Sequence, residues 1–397
     1  MISPCCERAI EDALNYKNAL LKFITPNNVG ITGSHECGFL LPHSGEIWKM
    51  YTPHPPDKGK NSKHQVSIIW QDGRETQSVI TGYFKEKNEY RLTSFGRDFP
   101  FLTADVVGDL LVLIATSQNK FMAYVLDYDE DIEEIQSALG VEAFERWGGV
   151  YRDGIPHITE TLETEANCID RKIREFSVKC TSFPKGEVFS ETVRAILLEC
   201  QKEFPTLSPD KALMCAYQTE YQLFQYVERQ VCQNDVAGRL FRDIDDFLKT
   251  AASIMNRRKT RAGRSFENHI GYLLKEVGIP HKMRPSLGID GKPDIIIPDE
   301  NAYFNETFPK EKLFVLGLKT TCKDRWRQVL NEAPRHKAKH IITLQQGISK
   351  NQLAEMNTAG ISLVVPEILH TKYPKDHAIN LLTVEEFIKT VKDQLGL

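Results

Sequence analysis

The sequence predicts a mainly-β domain followed by an α/β domain, and three observations carry that prediction. The chain has 397 residues, which is long for a single hydrophobic core. Its first 125 residues hold short apolar runs at regular spacing. After about residue 278, apolar runs alternate instead with helical segments, and such a change of pattern marks two architectures.

The opening MISPCCERAIEDALNYKNALLKF carries charge throughout and lacks an apolar h-region, so it reads as an amphipathic helix and not a signal peptide. GFLLP, HQVSIIW, SVITGYF, YRLTSF, DLLVLIA and KFMAYVLDY follow, separated by turn signals, as in a barrel or sandwich-like β domain. The acidic block DYDEDIEE (127–134) then opens a helix. At SFPKGE (182–187) Pro, Gly and charge mark a linker, which divides the chain into domains 1–182 and 183–397. Ser190 is the expected cap of the helix SETVRAILLECQKEF. Helices dominate to about residue 278, and then PDIIIP (293–298), KLFVLGLK (312–319), HIITLQ (340–345) and ISLVVP (361–366) read as strands. Helical segments around 322–333 and 350–358 join the last three, which predicts a sheet covered on both faces.

Composition narrows the function only by exclusion. With 41% hydrophobic and 26% charged residues the chain is an ordinary globular one, not a disordered one. No stretch approaches eighteen uncharged apolar residues, so neither a membrane span nor a membrane partner is expected, and a cytoplasmic location is. Nine cysteines, odd in number and without a C-x2-C pair, point to reduced thiols and against a zinc site. The formal net charge is −4, yet six acids crowd residues 127–134 and five cations crowd RRKTRAGR (257–264). Local charge therefore says more than the total.

The chemistry concentrates near the C-terminus. Asp294 opens the strand PDIIIP, and Lys319 closes the strand KLFVLGLK. Adjacent strands would set this carboxylate and this amine side by side at one sheet edge. A metal-dependent phosphodiester hydrolase needs that pair: carboxylates for Mg2+, and a lysine to orient water and neutralise developing charge. The usual form of this nuclease motif has an acid two residues before the lysine, where this chain has Gly317. Glu332 is the candidate replacement, on a helix capped by Thr321 whose Trp326, Val329, Leu330 and Ala333 face the core. Glu267 is a third acid, an outer metal ligand or else a surface partner of Arg264, with Arg258, Arg261 and Arg264 as phosphate-binding cations. Lys323 and Arg325 are suited to donate to guanine O6 and N7, and Asp324 to accept from cytosine N4.

The stretches LGLKTTCKDRWRQVLNEA, RRKTRAGRSFENH, KPDIIIP and ISLVVPEILHTKYP closely resemble the EcoRII family of type II restriction endonucleases. The likeness extends more weakly into ITGSHECGFLLP and NEYRLTSFGR, and so spans most of the chain. It implies a catalytic domain with a restriction-endonuclease-like mixed sheet flanked by helices, in which the second acid has moved beyond the lysine. By resemblance, Asp294, Lys319 and Glu332 are the catalytic residues, Asp294 and Glu332 hold Mg2+, and Glu267 is a supporting acid. The resemblance also implies a homodimer that cleaves double-stranded DNA at a short pseudopalindrome such as CCWGG or CCNGG, with a cognate cytosine methyltransferase in the same system. The N-terminal half becomes a pseudobarrel effector domain that binds a further copy of the site and, when empty, occludes the cleft. Asn88, Glu89, Arg91 and Arg97 match its recognition arm, while Tyr90 and Ser94 depart from the basic residues expected there. Two other readings use the same residues. One is a non-catalytic DNA-binding regulator, the other a structure-directed or repair nuclease; paired carboxylates disfavour the first and a base-reading triplet the second.

Overall fold

The structure is a computed structural model that describes residues 2–32, 37–42, 47–52, 59–85, 87–96, 99–142, 147–150, 163–288, 292–333, 336, 339–375 and 381–397. It divides into two compact units. The first takes in residues 1–158 with 345–354 and 371–378, and the second takes in 159–344, 355–370 and 379–397.

In the first unit, helix α1 (Pro4–Tyr16) starts where the Ser3 hydroxyl accepts the Cys6 N–H at 3.1 Å and Pro4 presets the first turn. Strands β1 (Ala19–Phe23), β2 (Phe39–Leu41), β3 (Ser62–Trp70), β4 (Glu75–Tyr83), β5 (Glu89–Thr93), β6 (Leu110–Ser117) and β7 (Lys120–Leu126) follow. Helix α2 (Asp129–Leu139) and strand β8 (Gly148–Val150) complete it. The eight strands lie in the order β2-β5-β4-β3-β7-β6-β1-β8, antiparallel except for β3 beside β7. The sheet curls until its ends meet: Trp147, next to β8, donates its ring N–H to the Leu40 carbonyl of β2 at 2.6 Å and packs on Phe39. That closure makes the predicted pseudobarrel.

Its interior holds Leu20, Phe39, Ile68, Trp70, Tyr90 and Leu113. β6 is buried on both faces because α1 and α2 cover its outer side through Ala9, Ala13, Ile132 and Ile135. The acidic block is partly structural. Asp131, 3% exposed, accepts the Ser3 N–H at 2.9 Å and the Ser3 hydroxyl, tying α2 to the start of α1.

The second unit begins with four helices, α3 (Glu163–Lys179), α4 (Gly186–Cys200), α5 (Pro209–Val236) and α6 (Ile244–Glu276). Ile169 and Ile173 of α3 bury themselves against Phe189, Leu223 and Phe224. That burial places α3 in the second unit. Cys168 and Cys200 are joined as a disulfide, contrary to the expected free thiols, because α3 and α4 bring their Cα atoms within 5.7 Å. Ser190 lies inside α4 and not at its cap: the helix starts four residues earlier at Gly186, whose carbonyl accepts the Ser190 hydroxyl at 3.2 Å.

Then come β9 (Lys282–Met283), β10 (Ile295–Ile297), α7 (Glu300–Phe304), β11 (Phe314–Lys319), α8 (Trp326–Leu330), β12 (Lys339–Thr343), α9 (Lys350–Thr358), β13 (Ile361–Val364), β14 (Leu381–Leu382) and α10 (Val384–Leu395). The sheet runs β14-β13-β12-β11-β10-β9, parallel from β11 to β14 and antiparallel at β9 and β10. This is the mixed sheet flanked by helices that the sequence predicted. Among the described residues no helix is long and apolar enough to cross a membrane.

One carboxylate ties the ends of this unit together. Asp210, in the first turn of α5 and 3% exposed, accepts the N–H groups of Glu367 at 3.0 Å, Val384 at 2.9 Å and Glu385 at 2.9 Å. Removing it strands three backbone donors, two of them at the start of α10. Asp210→Ala is therefore expected to cost roughly 3 kcal/mol or more in urea unfolding. A loss below about 1 kcal/mol would show that water replaces the carboxylate without penalty.

Candidate active site

The site grows out of the antiparallel register of β10 and β11, which pairs Ile295 with Leu316 and Ile297 with Phe314. Asp294 sits one residue before β10, and its N–H donates to the Leu316 carbonyl at 3.1 Å. Its carboxylate is held from the neighbouring strand: Oδ2 accepts the Leu318 N–H at 2.6 Å and the Lys319 Nζ at 3.2 Å. Both side chains keep some access to solvent, 22% for Asp294 and 17% for Lys319. The predicted carboxylate–lysine pair is thus assembled by backbone pairing alone.

Gly317 explains where the second acid went. A Cβ at this position would stand 2.8 Å from Cγ2 of Val329, so α8 packs directly on the backbone of β11. No aspartate or glutamate fits there. The chain leaves α8 at Asn331, and Glu332 follows, its N–H donating to the Val329 carbonyl at 3.1 Å. Ala333 then takes a left-handed φ of 45° and is fully buried. Glu332 Oε2 is buried without a hydrogen-bond partner among the described residues. Burial pushes the Glu332 carboxyl above the usual glutamate range; Lys319 opposes the shift and Asp294 adds to it.

Among the described residues no group of three or more His, Cys, Asp or Glu side chains is placed to hold a metal ion. Asp294 and Glu332 nevertheless suit a hard divalent cation, which takes one or two carboxylates and completes its shell with water and phosphate. The unpartnered Glu332 oxygen is the observation that fits.

The helix after Lys319 is shorter than predicted: α8 spans Trp326–Leu330 and not 322–333. Thr321 does not cap it, since its hydroxyl is buried and has no partner among the described residues. The intervening loop is drawn inward by Cys322, 0% exposed, and the helix starts where Trp326 reaches the core. Lys323 is also buried, at 3% exposure, and burial lowers its pKa to about 8. Asp324 and Arg325 beside it remain partly exposed.

Glu267 on α6 does not touch Asp294 directly. It pairs with Arg284 through Nε at 2.9 Å and through a second, closer contact, and the Arg284 N–H donates to the Asp294 carbonyl at 2.8 Å. Arg284 holds a left-handed φ of 46° in doing so. Sequence reasoning missed this link, because nothing in the spacing pairs an arginine ten positions before Asp294 with an acid on a distant helix.

The basic block divides. Arg258 forms a two-point pair with Glu228 at 2.8 and 2.9 Å. Arg261 is 8% exposed and lies over the rings of Tyr217, Tyr221 and Phe224 at 5.5, 4.9 and 5.5 Å, where burial lowers its pKa to about 9. Both charges are taken up inside the helix bundle and not offered to phosphates. Arg264 alone of the three is exposed.

In the first unit, β5 alternates: Tyr90 and Leu92 face the core at 1% and 2% exposure, while Glu89 and Arg91 face outward and pair at 2.8 Å. Asn88 is exposed just before the strand, and Arg97 lies outside the described residues.

Because the folded state raises the Glu332 pKa, the cost of its charge is absent below the unfolded value near 4.5, grows as pH rises above it and is complete above the folded value. Glu332→Gln should thus raise the melting temperature of the metal-free protein by a few degrees at pH 8 and leave it nearly unchanged at pH 4.5; the reverse trend would refute the buried-charge assignment. Gly317→Ala should push α8 off β11 and slow cleavage, and Val329→Ala added to it should restore part of the loss. Strictly additive effects in that double-mutant cycle would deny the contact.

The chain matches the family described as "EcoRII C terminal" over residues 224–388 and "Restriction endonuclease EcoRII, N-terminal" over residues 14–142. It is 30% identical over 382 residues to the type II restriction enzyme EcoRII of Escherichia coli, covering 93% of this chain and 92% of that enzyme. The type II restriction enzyme SsoII of Shigella sonnei is 23% identical over 215 residues, covering 51% of this chain and 68% of that enzyme. A solved complex of the restriction endonuclease PspGI with substrate DNA overlaps 54% of this chain and 94% of its own, at 16% identity and a TM-score of 0.44. A site that pairs a carboxylate with a lysine, and 30% identity over 93% of the chain to a restriction enzyme, agree: the chain belongs to the EcoRII family of type II restriction endonucleases and is a site-specific nuclease.

Proposed function

We propose that this nuclease is a Mg2+-dependent homodimer that cuts double-stranded DNA at a short CC/GG-containing pseudopalindrome of the CCWGG or CCNGG type. The observation that carries the proposal is the convergence of Asp294, Lys319 and Glu332, the last brought in by the bare backbone of Gly317. Asp294 and Glu332 would hold the cation. The chemistry supplied by bound Mg2+ is neutralisation of charge on the scissile phosphate and the departing oxygen. Lys319 Nζ, 3.2 Å from Asp294, orients the attacking water and donates to a phosphate oxygen. Arg284 and Glu267 hold the backbone of Asp294 from behind.

Asp324 and Arg325, both partly exposed, read the C·G pairs, the acid accepting from cytosine N4 and the arginine donating to guanine O6 and N7, whereas Lys323, at 3% exposure, is not offered to a base. Arg264 is the phosphate contact of the basic block, since Arg258 and Arg261 are committed elsewhere. In the first unit, Asn88, Glu89, Arg91 and Arg97 would contact a second copy of the site and make cleavage depend on it. A cytoplasmic enzyme of this kind implies a cytosine methyltransferase that protects the host's own sites.

The dimer has a candidate face. The first half of α6 leaves Ile244, Phe247 and Leu248 exposed at 68, 45 and 54%, an apolar strip at helical spacing. Acids at its start, Asp243 and Asp245, and Lys259 near the far end of that half are complementary for antiparallel pairing with a second copy. Phe247→Asp with Leu248→Asp should give a monomer by sedimentation; a surviving dimer would place the interface elsewhere.

Digestion of a multi-site plasmid by wild type and Lys319→Ala, with the ends sequenced, tests the whole reading. Wild type should give discrete Mg2+-dependent fragments ending at one repeated motif, and the variant none. Sequence-selective retention of DNA by both proteins without cutting would instead favour a binding regulator.

A further inference from the structure

Lys339 opens β12 with 3% of its surface exposed. Its Nζ donates to the carbonyl of Leu330, the last residue of α8, at 2.5 Å. The Lys339 backbone is fixed in turn, its N–H donating to the Gly360 carbonyl at 3.2 Å and the residue pairing with Ile361 of β13. We propose that Lys339 is a positioning residue for Glu332: anchored in the sheet, its buried ammonium grips the C-terminal turn of α8 and holds the adjoining carboxylate toward Asp294 and Lys319.

A helix of five residues has almost no cooperative stability of its own, so its last turn needs an outside donor. A cation at a helix C-terminus meets the carbonyls that the helix cannot satisfy. A buried lysine is also an expensive way to satisfy one carbonyl, because burial disfavours its charged form and lowers its pKa. What a lysine adds is a donor fixed to a carbonyl two residues before Glu332, which apolar packing does not supply. Lys319 closes β11 and Lys339 opens β12, and the two strands are neighbours in the parallel part of the sheet.

This inference rests on the reading of Glu332 as a metal-binding residue, but its first test needs neither DNA nor metal. Melting temperatures of wild type, Lys339→Met, Glu332→Gln and the double variant form a cycle. If Lys339 acts through Glu332, Lys339→Met lowers the melting temperature sharply when Glu332 is present and much less in the Glu332→Gln background. Where Lys339→Met alone fails to fold, Glu332→Gln should rescue it. Equal losses in both backgrounds, or no rescue, overturn the proposal. The second test is cleavage against Mg2+ concentration: Lys339→Met should raise the concentration for half-maximal rate about 10-fold, as loss of an outer partner does, while metal-free binding of site DNA stays at the wild-type level. Lys339→Arg should recover most of that change. An unaltered Mg2+ dependence in Lys339→Met, beside a wild type that cuts, refutes the positioning role. A wild type that cuts nothing refutes the nuclease reading while the thermal cycle still stands.

Discussion

The proposed active site depends on one close approach, that of Val329 in α8 to the bare backbone of Gly317 in β11. With a side chain at 317 the helix would stand further from the sheet, and the residue after its last turn would not reach the end of the strand. The glycine therefore does two things at once. It removes the acid that this position would otherwise carry, and it makes room for the element that delivers Glu332. The other half of the site needs no such device. Antiparallel pairing of β10 and β11 already sets the Asp294 carboxylate against the Leu318 N–H and the Lys319 ammonium.

Around these elements several ionisable groups are held in an environment that disfavours their charge. Burial raises the pKa of Glu332, lowers that of Lys339, and lowers that of Lys323 to about 8. Glu332, so held, destabilises the metal-free protein and would recover that energy against a cation. A shift by itself does not mark a site, however. Arg261 is shifted as well, to about 9, yet it is enclosed by Tyr217, Tyr221 and Phe224 in the helix bundle. What separates the two cases is convergence. Glu332, Lys319 and Asp294 act on one another, whereas the shift of Arg261 comes from burial among rings.

Much of this is legible in the chain. The strands of the catalytic sheet announce themselves as apolar runs, and Asp294 and Lys319 lie at the ends of two of them. Gly317 is visible as a missing acid, but its reason is not, since a contact with Val329 twelve residues later depends on how α8 packs. The length of α8 is hidden for a related cause. Cys322 and Lys323 look compatible with a helix, yet tertiary burial holds them in a loop. The roles of Arg258 and Arg261 cannot be read from the sequence either. A run of cations has the same appearance whether it faces solvent or threads a bundle, and only Glu228 and three aromatic rings on α5 decide the matter. The Cys168–Cys200 disulfide has the same origin, because the packing of α3 on α4 is a long-range fact.

Helix α6 joins these features mechanically. At 33 residues it is about 50 Å long, and its two halves do different work. The first half carries the exposed strip of Ile244, Phe247 and Leu248 that is proposed to meet a second copy. The second half is fastened to its neighbours by buried polar contacts: Arg258 to Glu228, Arg261 within its aromatic cage, and His269 to Glu220 at 2.9 Å. Arg194 adds a contact from α4, 3.4 Å from the His269 ring nitrogen and over the Tyr272 ring. Between His269 and the cage sits Glu267, which reaches Arg284 and through it the carbonyl of Asp294. A helix pinned at so many points transmits displacement more readily than it absorbs it. Pairing along the first half, as proposed, would therefore bear on Glu267 and Arg284, and through them on the backbone of Asp294.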